Sequence, residues 1–485
     1  MPRRFLFVIF LTLLACHQAN GPVPEKRVIF IGLDGADWQF LDRYMAEGTM
    51  PNLARIVQAG EKRVLLTQHP PLSPLVWTTM MTGVSPLEHR ILDFTRFNPA
   101  TGEKEPITSD ERRVPAIWNM LTEKGQRVDV FGMWATYPPE KVNGTIVSDR
   151  EVAGNYLEQT EKVHRLALAS IRRDHPNLAI VYFQGTDVIG HLYASKPEHA
   201  EDVRRYFARI DAILGEYARE HAQLVIASDH GFEWEKAIGV SSTAVATAAK
   251  WHRDQGILVV PRGAPACARV DGITPMLLGM LGLPGDVAAY QRAWRRARAD
   301  ETSAPLQQQK PSEAIANLKA LGYIGSSEAS HAPAAYKGTR TAASYDNEAL
   351  ILRELGRNDE AIKAFDMALQ IDPHSASAMW NLSDLLHRQH VDLARADRLL
   401  DEAIAIDPGQ SHWLAMRGRY RMEKHDCRGA LDDFQRALAG DDAVLYASIG
   451  AAELCLGEER EARAAFEKSL AIDPNQPQLR KLLPR

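Results

Sequence analysis

The sequence predicts an α/β fold, a mostly parallel sheet covered by helices on both faces, followed by an all-α repeat domain. Three observations predict it. Short apolar runs alternate with amphipathic stretches from Arg27 to about residue 300, the pattern of parallel strands joined by helical crossovers. Several of those runs end in acidic or imidazole side chains, where open α/β sheets gather their ligand groups. From Ala342 onward one motif recurs every 32 to 35 residues, the mark of stacked helical units.

At 485 residues the chain has room for two or three domains. It is 45% apolar and 25% charged, an ordinary globular balance. Net charge is -5 with His neutral, and the mature part carries no basic block. Binding to a nucleic-acid duplex is therefore not expected, because neutralising phosphates needs clustered Lys and Arg. Small phosphorylated substrates remain open, since metal ions can supply positive charge.

Residues 1–15 read as a signal peptide. Arg3 and Arg4 precede an apolar run from Phe5 to Leu14 that is too short to span a bilayer. The run ends in Leu13-Leu14-Ala15-Cys16, which looks like a bacterial lipobox with cleavage before Cys16 and lipid on its thiol. The alternative is an ordinary signal peptide with a chance cysteine. Residues 16–26 then form a lipidated tether. Acyl chains on Cys16 would anchor the protein to a membrane of the cell envelope, periplasmic or extracytoplasmic, without spanning it. Cys267, Cys427 and Cys455 fit no zinc-finger framework. Cys427 and Cys455 can pair in an oxidising compartment or serve as small buried hydrophobes.

Residues 27–300 form the first large unit. Arg27 to Leu33 reads as a buried strand ending in Asp34-Gly35. Met50 to Gly60 is a Pro-started, Gly-stopped helix, and Arg63 to Thr67 a short strand. Pro71 to Gly83 comes next, with Ser73-Pro74 as a helix start and an almost wholly apolar continuation. Ser73 can be a helix cap only, or a nucleophile whose alkoxide the positive end of the helix dipole would favour. Between Asp93 and Gln159 the periodicity is mixed, with a helix near Val114 to Gly125 and a strand at Arg127 to Phe131. Leu178 to Phe183 is a strand leading to Asp187 and His191, and Gln223 to Ser228 a strand leading to Asp229 and His230. A helix spans Pro197 to His221, His252 precedes a strand at Gly256 to Val260, and Ile273 to Leu283 is an apolar helix.

Residues 301–341 are rich in Ser, Ala, Gln, Pro and Lys and read mostly as linker, with a possible helix from Ser312 to Leu321. In residues 342–485, Ala361, Ala396, Ala430 and Ala462 recur at spacings of 35, 34 and 32, and Asp-Pro closes units at 372–373, 407–408 and 473–474. Period and pattern resemble tetratricopeptide repeats. Such arrays present a concave surface for a protein or peptide partner.

The residues that can carry chemistry are Asp34, Ser73, Asp187, His191, Asp229, His230 and His252. Any one of them is weak evidence, since a lone Asp after a strand is commonly a turn residue. Together they place three carboxylates, three imidazoles and one hydroxyl at one edge of one sheet, a donor set that Zn²⁺ prefers. The charge balance favours two divalent metal ions: they bring +4, against -3 from three Asp and -1 from an ionised Ser73. One ion of such a pair lowers the hydroxyl's pKa and the other holds the leaving oxygen.

Gly32-Leu33-Asp34-Gly35, Ser73 with Thr82-Gly83 and His89, Asp187-x-x-Gly190-His191, Ser228-Asp229-His230-Gly231 and His252 occur in the order found in the alkaline phosphatase superfamily. The stretch from about 27 to 300 most resembles the type I phosphodiesterase/nucleotide pyrophosphatase family. The resemblance implies an alkaline-phosphatase-like fold and hydrolysis of phosphate esters. It implies one zinc on Asp187, His191 and His252, and another on Asp34, Asp229 and His230. Ser73 would bridge toward the second as nucleophile, passing through a phosphoryl-enzyme intermediate. Familiar members carry Thr where Ser73 stands, and an Asn that binds a phosphoryl oxygen where Phe94 stands, with Thr95 the candidate stand-in. Leu75 and Trp77 replace the Pro and Arg of the sulfatase signature, which argues against a formylglycine sulfatase. Two alternatives accompany this reading. One is a phosphotransferase or a phosphonate/sulfate ester hydrolase using the same groups. The other is a catalytically degenerate binding protein built on the repeats. A chain ending near Arg295 is expected to retain turnover.

Overall fold

The strand Val28–Leu33 is buried along its whole length because its side chains alternate between two cores. Val28 and Phe30 face a core with Leu65, Val225 and Leu258 and with Val76, Trp77 and Met80 of the helix Ser73–Thr82. Ile29, Ile31 and Leu33 face the other core, with Phe40, Val163, Ile171, Ile210 and Leu214 of the helices Trp38–Ala46, Tyr156–Asp174 and Ala200–Tyr217. The computed structural model describes residues 26–234, 248–294, 310–325 and 328–482. The expected signal peptide and Cys16 lie outside the described residues.

Seven strands form the main sheet, in the order 61–66, 255–260, 223–227, 28–33, 178–183, 128–131, 144–147. Gln255–Val260 runs antiparallel to both neighbours, and the other described pairs are parallel. The mostly parallel sheet with helices on both faces is therefore as the sequence predicts. The edge strand Gly144–Val147 is an addition, too short to stand out in a mixed stretch. Register sets where the central strands stop. Leu33 pairs with Phe183 and Gly32 with Ala227, so three strand ends finish level, with Asp34, Asp187 and Asp229 one, four and two residues beyond them.

Ser73 is not the N-cap. The helix Ser73–Thr82 starts on it, the cap position belongs to Leu72, and no side chain caps this end. The Ser73 hydroxyl is thereby left to face the sheet.

The repeats form four helix pairs, 342–354 with 358–371, 376–389 with 393–406, 411–423 with 427–437, and 443–455 with 459–472. The recurring Ala361, Ala396, Ala430 and Ala462 are buried, with Phe365, Leu400, Phe434 and Phe466 beside them in the same positions of the unit. The Asp of each Asp-Pro closure accepts an amide two residues on, from His374, Gly409 and Asn475. That satisfies the turn, while Pro stops the helix from continuing. Cys427 and Cys455 form a disulfide across neighbouring helices, with Cα atoms 6.0 Å apart. Cys267 is free and buried.

The reading of residues 301–341 as linker is corrected for its described part. Pro311–Ala320 is the expected helix. The residues after it pack on the sheet domain: Leu318, Tyr323 and Ile324 share a core with Phe94 and Ala248. Farther on, the backbone runs along the hairpin 95–106, with Lys104 N bonded to Ser330 O, Ala332 N to Gly102 O and Phe97 N to Thr339 O. The first repeat is then fastened to the sheet domain. Asn347 donates to Leu92 O at 2.8 Å, Arg90 pairs with Glu348 at 2.7 Å, and Thr341 Oγ1 donates to Asp93.

Asp93 also accepts from Thr95 Oγ1 at 2.8 Å and from the Phe94 amide. Burial, then the nearby Glu328 carboxylate, push its carboxyl up to about 6 against the pull of Lys104 and the two hydroxyls. A carboxyl raised in the folded state binds protons there that the unfolded chain has released. Its contribution is therefore most favourable near pH 4 and is lost as pH rises to about 6. The stability of the native chain relative to Asp93→Asn should fall by up to about 3 kcal/mol between pH 4 and 7, read from denaturant midpoints. A difference flat with pH would show that Asp93 is not held in this buried contact.

Candidate active site

Three level strand ends deliver three carboxylates. Asp34 comes directly after Val28–Leu33. Asp187 sits in the first turn of the helix Gly185–Tyr193 after Leu178–Phe183, and Asp229 lies just beyond Gln223–Ala227. His191 lies one helical turn beyond Asp187, its Nε2 3.3 Å from Asp187 Oδ2. His230 and His252 stack with ring centroids 3.6 Å apart. Nε2 of His252 is 3.2 Å from that of His191 and 3.6 Å from Asp187 Oδ1. Nε2 of His230 is 3.2 Å from Asp229 Oδ2 and 3.6 Å from Asp34 Oδ1. Ser73 Oγ donates to Asp34 Oδ1 at 3.3 Å. All seven side chains that the sequence singles out thus meet at one rim of the sheet.

Two glycines make that convergence possible. Gly32 lets the Ser73 helix approach, since a Cβ there would stand 2.7 Å from Trp77. Gly35 has φ +63°, and a Cβ on it would stand 2.7 Å from Asp187 Oδ1. Its amide donates to Asp229 Oδ1 at 3.2 Å, so one turn residue clears space for one carboxylate and orients another.

The cluster is dry. Asp34, Ser73, Asp187, Asp229 and His230 are 0% exposed. Burial, then the neighbouring carboxylates, hold the Asp34 carboxyl well above its ordinary range. Burial pushes the Asp229 carboxyl up to about 7. Burial also opposes ionisation of Asp187, but His191 and His252 outweigh it and hold that carboxyl low. Burial, then His230, hold the His252 imidazole well below its usual value. The shifts are opposed, with burial raising two of the carboxyls and the imidazoles lowering the third.

The residues fit divalent cations on a structural criterion. Asp187 Oδ1, Asp229 Oδ2 and His230 Nε2 are buried with no hydrogen-bond partner among the described residues, and leaving such atoms unpaired costs about 1–3 kcal/mol each. Their outer atoms are held: His230 Nδ1 faces Gly231 O at 3.0 Å and His252 Nδ1 faces Pro71 O at 2.6 Å. A nitrogen facing a carbonyl must carry the proton, which leaves Nε2 as the free lone pair turned inward. Two sets of donors lie within 4.8 Å of one another, Asp34 with Asp229 and His230, and Asp187 with His230 and His252.

Residues 28–313, more than half of the chain, match the model of the type I phosphodiesterase / nucleotide pyrophosphatase family. The chain belongs to that family. Residues 352–420 and 415–477 match tetratricopeptide repeat models, so this phosphodiesterase-family chain carries a fused repeat array. Partly overlapping solved structures include phosphonoacetate hydrolase from Sinorhizobium meliloti 1021 in complex with phosphonoformate. It is 16% identical with TM-score 0.38, over 60% of this chain and 86% of that one. MamA 41-end from Desulfovibrio magneticus RS-1 is 18% identical with TM-score 0.27, over 28% and 78%. PilF from Pseudomonas aeruginosa is 24% identical with TM-score 0.26, over 28% and 64%.

Within this family member, two positions singled out by the resemblance have other work. His89 is buried, and its Nε2 lies 3.1 Å from Thr79 Oγ1, bracing the Ser73 helix. Thr95 spends its hydroxyl on Asp93, so it is no stand-in for the missing Asn. Phe94 instead packs against the Tyr323 ring, with centroids 4.7 Å apart and the rings tilted by 32°. Three residues that the sequence pattern does not single out reach the site. Tyr182 donates to Asp34 Oδ2, Trp134 Nε1 donates to Tyr182 Oη at 2.7 Å, and Tyr323 donates to Asp187 Oδ2. Tyr182 gave a signal, as the most polar side chain of an apolar strand; Tyr323 gave none.

Replacing Gly35 by Ala should lower the unfolding free energy by about 1–3 kcal/mol, because the new Cβ both opposes the positive φ and overlaps Asp187. An unchanged denaturant midpoint would show that Asp187 does not pack against this turn.

Proposed function

We propose that the chain is a two-metal hydrolase of phosphate esters that uses Ser73 as its nucleophile. One observation carries the reading: Ser73 Oγ, on the first residue of an uncapped helix, stands 3.3 Å from Asp34 in a buried ring of three carboxylates and three imidazoles. Asp187, His191 and His252 would hold one cation, and Asp34, Asp229 and His230 the other. His230 lies within 4.8 Å of Asp34 and Asp229 on one side and of Asp187 and His252 on the other, which ties the two halves together. Zinc suits this mixed Asp/His donor set best.

Two bound divalent cations supply neutralising charge for the phosphoryl group and a lowered pKa for a hydroxyl held beside them. The chain's own residues do the rest. Asp34 accepts the Ser73 hydroxyl and so fixes its direction. The positive end of the helix Ser73–Thr82 favours negative charge on Oγ and on the incoming phosphoryl oxygens. Attack by Oγ on phosphorus forms a phosphoserine and releases the leaving alcohol or phosphate, and water then cleaves the phosphoserine. Burial of the cluster strengthens the charge interactions within it.

A cavity of about 550 Å³ begins at Tyr182 and is lined by Trp134, Arg150, Tyr156 and Gln184, room for the organic part of an ester. The complete donor set argues against a catalytically degenerate binding protein. The repeats would hold a protein or peptide partner. For location we infer the extracytoplasmic face of the cell envelope, with lipid on Cys16. The N-terminal sequence supports this, and so does the Cys427–Cys455 disulfide, which persists in oxidising compartments. Among the described residues no helix is long and apolar enough to cross a membrane.

Ser73→Ala is expected to reduce kcat/KM on chromogenic phosphate esters by ~10³-fold or more, and to abolish the phosphoserine that acid quenching and mass spectrometry should find on Ser73 in the native chain. Turnover that survives the substitution would remove Ser73 from the nucleophile role. Diester and monoester probes run side by side would assign the preference.

A further inference from the structure

Each carboxylate of the cluster has one outer donor. Asp229 takes the Gly35 amide, Asp34 takes the Tyr182 hydroxyl, and Asp187 takes the Tyr323 hydroxyl. The first two come from the sheet rim itself. Tyr323 lies beyond the family-matched residues 28–313, in the stretch that leads to the repeats.

We propose that Tyr323 is a positioning residue of the catalytic centre: its hydroxyl orients the Asp187 carboxylate for a cation, so the centre is completed by the segment that docks the repeat array. The inference rests on the two-cation reading above.

The side chain is held for that purpose on several sides. Tyr323 is 4% exposed. Its ring packs at a tilt against Phe94 and meets His191 edge-on at 5.2 Å. Leu318 and Ile324 pack around it. The carbonyl of Gly322 accepts the Ala248 amide at 2.9 Å, on the stretch that leads to Trp251 and His252. A phenylalanine would fill the same space with the same ring contacts. Burying the hydroxyl costs about 1–3 kcal/mol unless it is bonded, and its bond goes to a site carboxylate. Outer donors of this kind fix the lone pair that a ligand offers, and their loss typically weakens metal binding 10–100-fold.

The placement also reverses the expectation that a chain ending near Arg295 retains turnover. Such a cut removes Tyr323, the wall behind Phe94 and His191, and the helix Pro311–Ala320 that lines the cavity beside Tyr182.

The test is the zinc affinity of full-length Tyr323→Phe, measured by competition with a chromophoric chelator, together with kcat and KM at saturating zinc. Tyr323→Phe keeps the ring, and circular dichroism would confirm that it folds as the native chain does. The expected result is about 10–100-fold weaker binding of one of two ions, with KM unchanged and kcat restored to within a few-fold by excess zinc. A role confined to packing would leave the affinity unmoved. Two ions bound within twofold of the native affinity would overturn the role of Tyr323 and leave the enzyme reading standing. A native chain that binds no zinc would overturn both.

Discussion

The structure is arranged around a buried cluster of three carboxylates and three imidazoles at one rim of the sheet. Asp34, Asp187 and Asp229 are brought together out of contact with water, and two of the three carboxyls are pushed up in consequence. Buried charge costs solvation unless it is paired, and Asp187 Oδ1, Asp229 Oδ2 and His230 Nε2 are buried with no hydrogen-bond partner among the described residues. Other features obey the same constraint. The parallel register levels the three strand ends, Gly32 and Gly35 admit the Ser73 helix and Asp187, and Pro71 and Gly231 carbonyls turn two imidazoles inward.

Rigidity comes from outside the cluster. Val28–Leu33 is covered on both faces by apolar cores, so the residue at its end cannot drift without disturbing both. The Ser73 helix is buried along its whole length and is braced through Thr79 by His89. Directly after His89 the chain reaches Arg90, Leu92 and Asp93, the contacts that hold the first repeat. The sheet domain and the repeats therefore share a seam that starts at Arg90, a short way along the chain from the Ser73 helix. Lys250, two residues before His252, adds a bond to Gln410 at 2.8 Å from the same array.

Much of this was legible in the sequence, for physical reasons. Central strands of a parallel sheet are covered on both faces and so largely apolar, which makes Val28–Leu33, Leu178–Phe183 and Gln223–Ala227 stand out. The donor residues at their ends are of types that seldom cluster without a role. The alanines of the repeats mark the close approach of paired helices, and Asp-Pro marks each turn. What stayed hidden depends on contacts distant in sequence. Ser73 looked like a cap because Ser-Pro so often is one, and only the third dimension shows its hydroxyl turned to Asp34. Residues 310–341 are polar and poor in periodicity because they lie along a surface already built, so composition gave them the look of a linker. Tyr323 sits in that stretch, and nothing local announces that its hydroxyl meets Asp187.

The most direct test of the central claim is the metal content of the full-length protein, purified without chelator and measured by elemental analysis. The expected result is about two divalent ions per chain, removed by chelation together with phosphate-ester turnover and restored with it by zinc. A folded protein free of metal, whose turnover is indifferent to chelators, would contradict it.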